Sequence, residues 1–579
     1  MSCRYIAVLG DRNGDDSAIR RAAPVLRNSG LFPRLLTRSI GLFAAEGTPT
    51  LALFGNSILV GHVFRRDGSP LRATGDVPGS LNGPQLRRFL LEDCWGEYVL
   101  MQPDTNESAD LVIMRDPSGG VPCFHSDDAE PRFVTSDISI ATHHGLYRKQ
   151  VDWDFINRCL VYPHQVTQRT ALSNVRELLP GCLLCVRETD VACEQAWSPW
   201  DFVASGRRND NPDEAAARVR DGVMTATRAW ADTDRSVLLE MSGGLDSSIL
   251  ATCLHKTDAN VSCCTLVTSV PGADERQYAG LVAEYLGVPL QVEELGFGLA
   301  RFDAPPPSWS VAPRISILQH ALNEVMTEVG GKEDVASHFS GGGGDTIFCY
   351  LGNAAPAADA FRERGVSAGT NAIRELSLLH QCTFWKAARL TLDKLVRQPK
   401  APYGADLTFL APQVAAMPPD RHPWFEAPGD ALPGDRQRIE LLAGTQLYRH
   451  AMSRGPSREL RLPLLSQPVV EACLTAPTWM WIAGGRNRSV ARAAFSNDLP
   501  REILERRSKG DFAQYLGAVW RRNGQRMLDF LLEGELQARG LLAPDSLRDF
   551  LRRRLAPRDR SFFRIFELCM IENWVRHQR

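Results

Sequence analysis

The stretch Ser236-Val237-Leu238-Leu239-Glu240-Met241-Ser242-Gly243-Gly244-Leu245-Asp246-Ser247-Ser248 decides how this chain folds. Its first six residues form an apolar run of strand length, and Ile249-Leu250-Ala251-Thr252-Cys253-Leu254 continues beyond it as a helix. A strand, a glycine turn and a helix N-terminus in that order aim backbone N–H groups and the positive end of the helix dipole at one point. The pair Gly243-Gly244 would let the backbone approach phosphate oxygens where a Cβ would intrude. The hydroxyls of Ser242, Ser247 and Ser248 add donors, and Asp246 offers a hard oxygen for Mg²⁺. No lysine follows the glycines, so this is not the GxxxxGK[ST] phosphate loop.

Downstream of this stretch the pattern alternates strand and helix. Val261-Ser262-Cys263-Cys264-Thr265-Leu266-Val267 reads as a strand, Asp274-Glu275 to Leu286-Gly287 as a helix, and Leu290-Gln291-Val292 as the next strand. That rhythm predicts a parallel sheet with helices on both faces. Leu266 and Val267, at the end of the second strand, complete the expected nucleotide-contacting set. Upstream, Asp213-Glu214 opens a helix carrying Val219, Val223, Met224 and Ala226 towards one side. The polar run Gly206 to Asp213 before it is the best domain boundary. Residues 1–205 hold short apolar runs such as Tyr5-Ile6-Ala7-Val8-Leu9 and Leu111-Val112-Ile113-Met114 between Gly, Pro and Asp, which predicts a β-rich domain. Residues 212–579 form the second domain, with eight prolines between 399 and 433 marking an insert that is either a disordered excursion or an ordered flap. Beyond the insert the chain reads mostly helical.

Composition narrows the functional classes. The chain has 579 residues, 44% hydrophobic and 23% charged, ordinary for a soluble globular protein of several domains. A formal net charge of −2 gives no electrostatic reason to expect nucleic acid or an anionic membrane as partner. No apolar run reaches membrane-spanning length, and the first residues lack a signal-peptide core. Fourteen cysteines without a framework of spacings suggest reduced, buried thiols and a cytoplasmic location. Cys182-Leu183-Leu184-Cys185 is formally CxxC, but its apolar surroundings read as a core strand. Residues 501–579 carry 17 Lys/Arg against 11 Asp/Glu, with Arg552-Arg553-Arg554 the densest cluster; a solvated helix face is the preferred reading over a dock for an acidic peptide.

A second loop, Ser340-Gly341-Gly342-Gly343-Gly344-Asp345, follows the run Asp334 to Phe339. Four consecutive glycines carry an entropic penalty on folding, so close backbone approach to a nucleotide is the expected use. Asp345 offers a second carboxylate that, with Asp246, could hold Mg²⁺ on phosphates.

SGGLDSS matches the SGGxDS signature of the ATP pyrophosphatases, which cut ATP between the α and β phosphates. The two loops together resemble the synthetase domain of the asparagine synthetase family. Asp274-Glu275 with Leu286-Gly287, Glu459-Leu460-Arg461-Leu462-Pro463-Leu464-Leu465, and Leu499-Pro500-Arg501-Glu502-Ile503 followed by Arg507-Ser508-Lys509-Gly510 resemble its further motifs. The resemblance implies ATP and Mg²⁺ as cofactors. It places Lys509 at the family's catalytic lysine, balancing charge on phosphorus beside Asp246 and Asp345. Gly96-Glu97-Tyr98, Arg115-Asp116-Pro117-Ser118-Gly119 and Phe133-Val134-Thr135-Ser136-Asp137 resemble the family's glutaminase domain, a class II amidotransferase shell of the N-terminal-nucleophile type. The whole is then an α/β protein, a β-rich shell followed by a parallel-sheet ATP-pyrophosphatase domain.

Two departures bear on substrate. The family's glutaminase frees Cys at position 2, whereas here Ser2 precedes Cys3, and no RGPD-like or NGEIYN-like segment is present. Asparagine-forming members carry Glu, and β-lactam synthetases Tyr, where this chain has Gly342. A shell without its nucleophile, the glycine-rich second loop and the proline-rich insert most resemble the lasso peptide macrolactam synthetases. Those adenylate an Asp or Glu side chain of a precursor peptide and close a ring with its N-terminal amine. The resemblance implies a precursor peptide as substrate, and the leader peptidase and leader-binding protein of such a pathway as partners. A glutamine-hydrolysing asparagine synthetase, a small-molecule lactam synthetase and an inactive nucleotide- or peptide-binding scaffold are the alternatives. The residue that deprotonates the amine is not legible; His338 and His380 are candidates on imidazole basicity alone, a structural role being preferred for each.

Overall fold

A computed structural model describes residues 3–10, 15–79, 81–103, 111–126, 131–187, 190–270, 272, 274–397, 402–414, 417–452, 454, 458–507, 509–556 and 558–578. Ser2, Ser508 and residues 399–401, 415 and 416 of the proline-rich stretch lie outside the described residues.

The first part of the chain builds two six-stranded sheets whose registered pairs are all antiparallel. Alternating apolar residues of Tyr5–Leu9 and Ile40–Ala45 in one sheet, and Ile58–Arg65 and Cys94–Pro103 in the other, meet in a shared layer containing Tyr5, Ala7, Leu42, Val60, Val99 and Met101. The Leu, Val and Met side chains among them each add about 1.5–3 kcal/mol when fully buried. The opposite faces are covered by the helices Ser17–Asn28 and Gly83–Glu92. Cys182 and Cys185 fall in the strand Cys182–Val186, both buried, and all fourteen cysteines are free.

The family-like motifs of this half hold the start of the chain in place. Asp116 accepts hydrogen bonds from the N–H of Tyr98 (3.0 Å) and of Gly119 (2.9 Å), and Arg115 pairs with Glu177 at 3.0 Å. Ser136 Oγ accepts from Tyr5 N at 3.0 Å, and Thr135 Oγ1 donates to Tyr5 O at 2.7 Å. Cys3, just ahead of that strand, is therefore fixed and buried.

The helix Pro212–Asp234 leads into the second part and buries Val219, Val223 and Ala226, with Met224 only partly covered. Asn211 caps it through Asp213 N. A five-stranded sheet follows, ordered Leu290–Glu294, Asn260–Val267, Ser236–Glu240, Ser337–Ser340, Glu459–Arg461, with every pair parallel. The helix between Asn260–Val267 and Leu290–Glu294, Arg276–Leu286, ends on Gly287 in the left-handed conformation (φ 68°) that glycine adopts without strain. From Ser236–Glu240 the chain winds outward one way to 294 and then returns to the other side for Ser337–Ser340. The carboxyl ends of these two neighbours mark the topological switch point, where open α/β sheets form a crevice.

The two parts share a core. Trp230 packs edge-on against Phe64 (5.0 Å between ring centroids) and Trp95 (6.1 Å), while Arg461 lies over its face at 4.1 Å. Arg461 also pairs with Glu97 (2.9 Å) and Asp234 (2.9 Å), and Glu97 takes a second cation from Arg449 at 2.7 Å. Removing one member of so buried a set leaves an uncompensated charge, which typically costs about 3–5 kcal/mol.

Parts of the proline-rich stretch are anchored on the rest of the chain. His422 and Trp424 are buried, Trp424 O accepts from Trp200 Nε1 at 2.8 Å, and Tyr403 Oη accepts from Val166 N at 2.9 Å. Beyond it the chain is mainly helical as read, but Glu459–Arg461, the start of one of the family-like motifs, forms the fifth strand. Arg552, Arg553 and Arg554 are exposed. Among the described residues no helix is long and apolar enough to cross a membrane.

Candidate active site

Both glycine loops leave the sheet at the same level, because Glu240 and Ser340 are register partners in adjacent strands. Ser242 to Gly244 lead into the helix Leu245–His255, whose N-cap, Gly244, supplies no side-chain cap. Its first N–H groups are therefore available to an external anion. The hydroxyls of Ser242 and Ser247 meet at 3.1 Å and close the loop.

The glycines let the loops pack closely on their neighbours. A Cβ on Gly243 (φ 68°) would lie 2.4 Å from Ala279 N, one on Gly341 would lie 2.9 Å from Ser247 N, and one on Gly344 would lie 2.5 Å from Asp246 Cγ. The second loop can thus press directly against Asp246, which brings Asp345 beside it.

A cavity of about 500 Å³ opens over this crevice. Ser242, Gly244, Asp246, Ser247, Leu266, Ser340, Gly341, Gly342, Asp345 and Lys509 line it, so most of the residues singled out in the sequence converge. Gly243, Ser248 and Val267 are not among its lining residues. Ser248 is buried and its hydroxyl donates back to Gly244 O at 2.7 Å; Val267 is buried and its carbonyl accepts from Leu295 N at 2.8 Å. His338 lies outside the cavity, fully buried, with burial holding its imidazole down to about 3, and His380 sits exposed at the end of the helix Ala355–Leu379. Neither lines this cavity.

Arg488 is the residue that sequence reading missed. Its Nη1 lies 3.0 and 3.1 Å from the two carboxylate oxygens of Asp246 and 2.9 Å from Asp345 Oδ1. Lys509 Nζ completes the cluster at 2.5 Å from Asp345 Oδ2. Burial pushes the Asp246 carboxyl up to about 6, against the pull of Arg488. Burial opposes the charge on Lys509, but Asp345 and Asp246 outweigh it and hold the ammonium above the ordinary lysine range. Two carboxylates gathering two cations form a site built to manage charge.

Lys509 is held there by Glu275 of the Asp274-Glu275 motif. Glu275 accepts from Gly510 N at 2.9 Å and pairs with Arg506, which donates to Gly243 O at 3.0 Å and stacks over Tyr278 at 3.7 Å. One arginine thereby ties the first loop, the following helix and the lysine segment together. Arg492, from the helix Ser489–Ala494, donates to Ile503 O (3.3 Å) and Arg506 O (3.2 Å) and pins the same segment from behind.

The family model for asparagine synthase matches residues 218–576. Among solved structures, similarity extends to the allosteric regulatory enzyme of purine biosynthesis, at 11% identity over 57% of this chain and 88% of that one, with a TM-score of 0.22. The glutamine phosphoribosylpyrophosphate amidotransferase from B. subtilis, complexed with ADP and GMP, is 10% identical over 58% of this chain and 90% of its own, TM-score 0.22. The glutamine-dependent NAD⁺ synthetase from Acinetobacter baumannii, complexed with ADP, is 14% identical over 35% of this chain and 44% of its own, TM-score 0.19. No curated protein matches in sequence.

Proposed function

The chain belongs to the asparagine synthase family and is an ATP-dependent amide-forming ligase, and from that premise we propose that it closes a macrolactam on a peptide. The observation that carries the chemistry is the convergence of Asp246, Asp345 and Lys509 on one cavity at the sheet's switch point. A side-chain carboxylate of the peptide attacks the α-phosphorus of ATP, the bond to the β-phosphate oxygen breaks, and pyrophosphate leaves. The peptide's N-terminal amine then attacks the acyl carbon, and AMP departs. The uncapped N-terminus of Leu245–His255 offers its N–H groups to the phosphates. Lys509 balances charge on the phosphorus and departing pyrophosphate.

Asp246 and Asp345 fit Mg²⁺, since their hard oxygens already converge on a single cationic nitrogen of Arg488. Bound there, the ion would neutralise phosphate charge and sharpen the electrophile.

Two features support a peptide that supplies its own amine. Gly342 lines the cavity without a side chain, where the asparagine- and β-lactam-forming enzymes that the sequence resembles carry Glu or Tyr. Cys3 is preceded by Ser2, whereas the glutaminases that the sequence resembles use a cysteine whose own amine is free. The precursor peptide is then the principal partner, with the peptidase and leader-binding protein of the same pathway as further partners.

Glutamine hydrolysis separates this reading from asparagine synthesis. The chain is expected to release no glutamate from glutamine, and Cys3→Ala to leave ligase turnover unchanged. Glutamate release that vanishes in Cys3→Ala would restore the asparagine reading. Blocked peptides test the chemistry itself. Acetylating the N-terminus should stop ring closure, because an amide nitrogen is too weak a nucleophile. Converting the acceptor carboxylate to its amide should stop pyrophosphate release as well. Pyrophosphate release that ignores the acceptor carboxylate contradicts the proposal.

A further inference from the structure

Arg488 stands where a metal ion bridging the two glycine loops would stand. Its Nη1 lies 2.9–3.1 Å from three carboxylate oxygens, two of Asp246 and one of Asp345. Among the described residues these are the only hydrogen bonds its side chain makes, so the guanidinium is committed to the two carboxylates.

The placement is built into the backbone. Arg488 is left-handed, at φ 55° and ψ 33°, a region that non-glycine residues hold only where their surroundings impose it. Both of its neighbours are tied down. Asn487 O accepts from Arg492 Nε at 2.9 Å, and Ser489 Oγ donates to Met480 O at 2.7 Å. The side chain nonetheless has a second seat within reach. Tyr350 also lines the cavity, and its ring centre lies 5.8 Å from the guanidinium carbon.

Charge decides when an ion can take this place. Asp246 and Asp345 are matched by Arg488 and Lys509, two charges of each sign. Mg²⁺ takes oxygen ligands at about 2.0–2.1 Å in octahedral geometry, so it cannot share the space between these carboxylates with Nη1. A divalent ion arriving alone must therefore push a cation off its own ligands and leave the cluster with surplus positive charge. An ion arriving on a triphosphate brings further oxygen ligands and the negative charge that offsets the surplus.

We propose that Arg488 is a positioning residue that holds the metal place between Asp246 and Asp345 until ATP arrives, and yields it only to an ion carried by the nucleotide. Before that exchange it keeps the two carboxylates gathered in the geometry the ion needs; on exchange the guanidinium turns towards Tyr350. Free metal is kept off the site, and metal and nucleotide bind as one unit. This rests on the reading of Asp246 and Asp345 as metal ligands.

The test uses the full-length enzyme and Mn²⁺, a spectroscopic stand-in for Mg²⁺, titrated through the loss of its free-ion electron paramagnetic resonance signal. Without nucleotide, Arg488→Met and Arg488→Gln are each expected to bind Mn²⁺ about ten- to a hundredfold more tightly than wild type, the gain from removing a competitor that holds the site in all but about 1–10% of molecules. Adding Asp345→Ala to either variant should erase the gain. Structural damage would weaken metal binding, so a tighter site is not its signature. Wild type gives a check that needs no substitution at Arg488: Mn²⁺ should raise its melting midpoint only when α,β-methylene-ATP is present. A rise with Mn²⁺ alone that Asp345→Ala removes would overturn the proposal. If both neutral variants fold, by circular dichroism, and bind Mn²⁺ no more tightly than wild type, while Mn²⁺ still strengthens binding of the analogue to wild type, the inference falls and the metal assignment stands. If Mn²⁺ has no effect on analogue binding to wild type, the metal assignment falls and this inference with it.

Discussion

Asp246→Ala and Asp345→Ala are each expected to abolish ATP consumption while leaving the fold intact. Asp246 is almost fully buried at the point where the two glycine loops touch, and Asp345 faces it across a single guanidinium nitrogen. Removing either carboxylate takes away one of two hard-oxygen ligands for a cation on the phosphates, a role that no neutral neighbour can fill. It also leaves Arg488 and Lys509 facing each other with one counter-charge between them. The loss should therefore appear in ATP turnover and in metal dependence together, with circular dichroism unchanged. Near-normal turnover in either variant would remove the metal assignment.

Lys509→Met should lose roughly two or more orders of magnitude in kcat, the scale seen when one preorganised donor to a transition state is removed. Its side chain is half-exposed and reaches the cluster from a segment that Glu275 and Arg492 hold by hydrogen bonds, so the substitution should not disturb packing. ATP affinity should change much less than rate, because the lysine charge is needed most where negative charge grows on departing pyrophosphate. A defect confined to KM would instead mark Lys509 as a ground-state phosphate contact.

The parts of this site legible in the sequence were those governed by local rules. A strand, glycine pair and helix can be read from thirteen consecutive residues, and the structure places Ser236–Glu240 and Leu245–His255 where that reading puts them. The second loop was legible for the same reason. Arg488 was not, because its role depends on meeting Asp246, far away in sequence, after the sheet has formed. No motif marks it, and alone it reads as a surface arginine. The strand Glu459–Arg461 was missed because its three residues pair only with Ser337–Phe339, and a strand that short carries no periodic signal. The glycines were legible, but their packing role was not. Sequence shows that a Cβ is absent, and only the packing shows that Asp246 and Tyr278 fill the space it would take.

In the proposed reaction the amine attacking the adenylate belongs to the same peptide as the activated carboxylate. Mass spectrometry of the product, read alongside AMP and pyrophosphate, tests it most directly. With wild-type enzyme, ATP and a leaderless peptide carrying a free N-terminus and an internal Asp or Glu, one AMP and one pyrophosphate are expected per product, and a product lighter than the peptide by one water. Turnover with aspartate and ammonia, or with a small β-amino acid, while no peptide loses water, would contradict it.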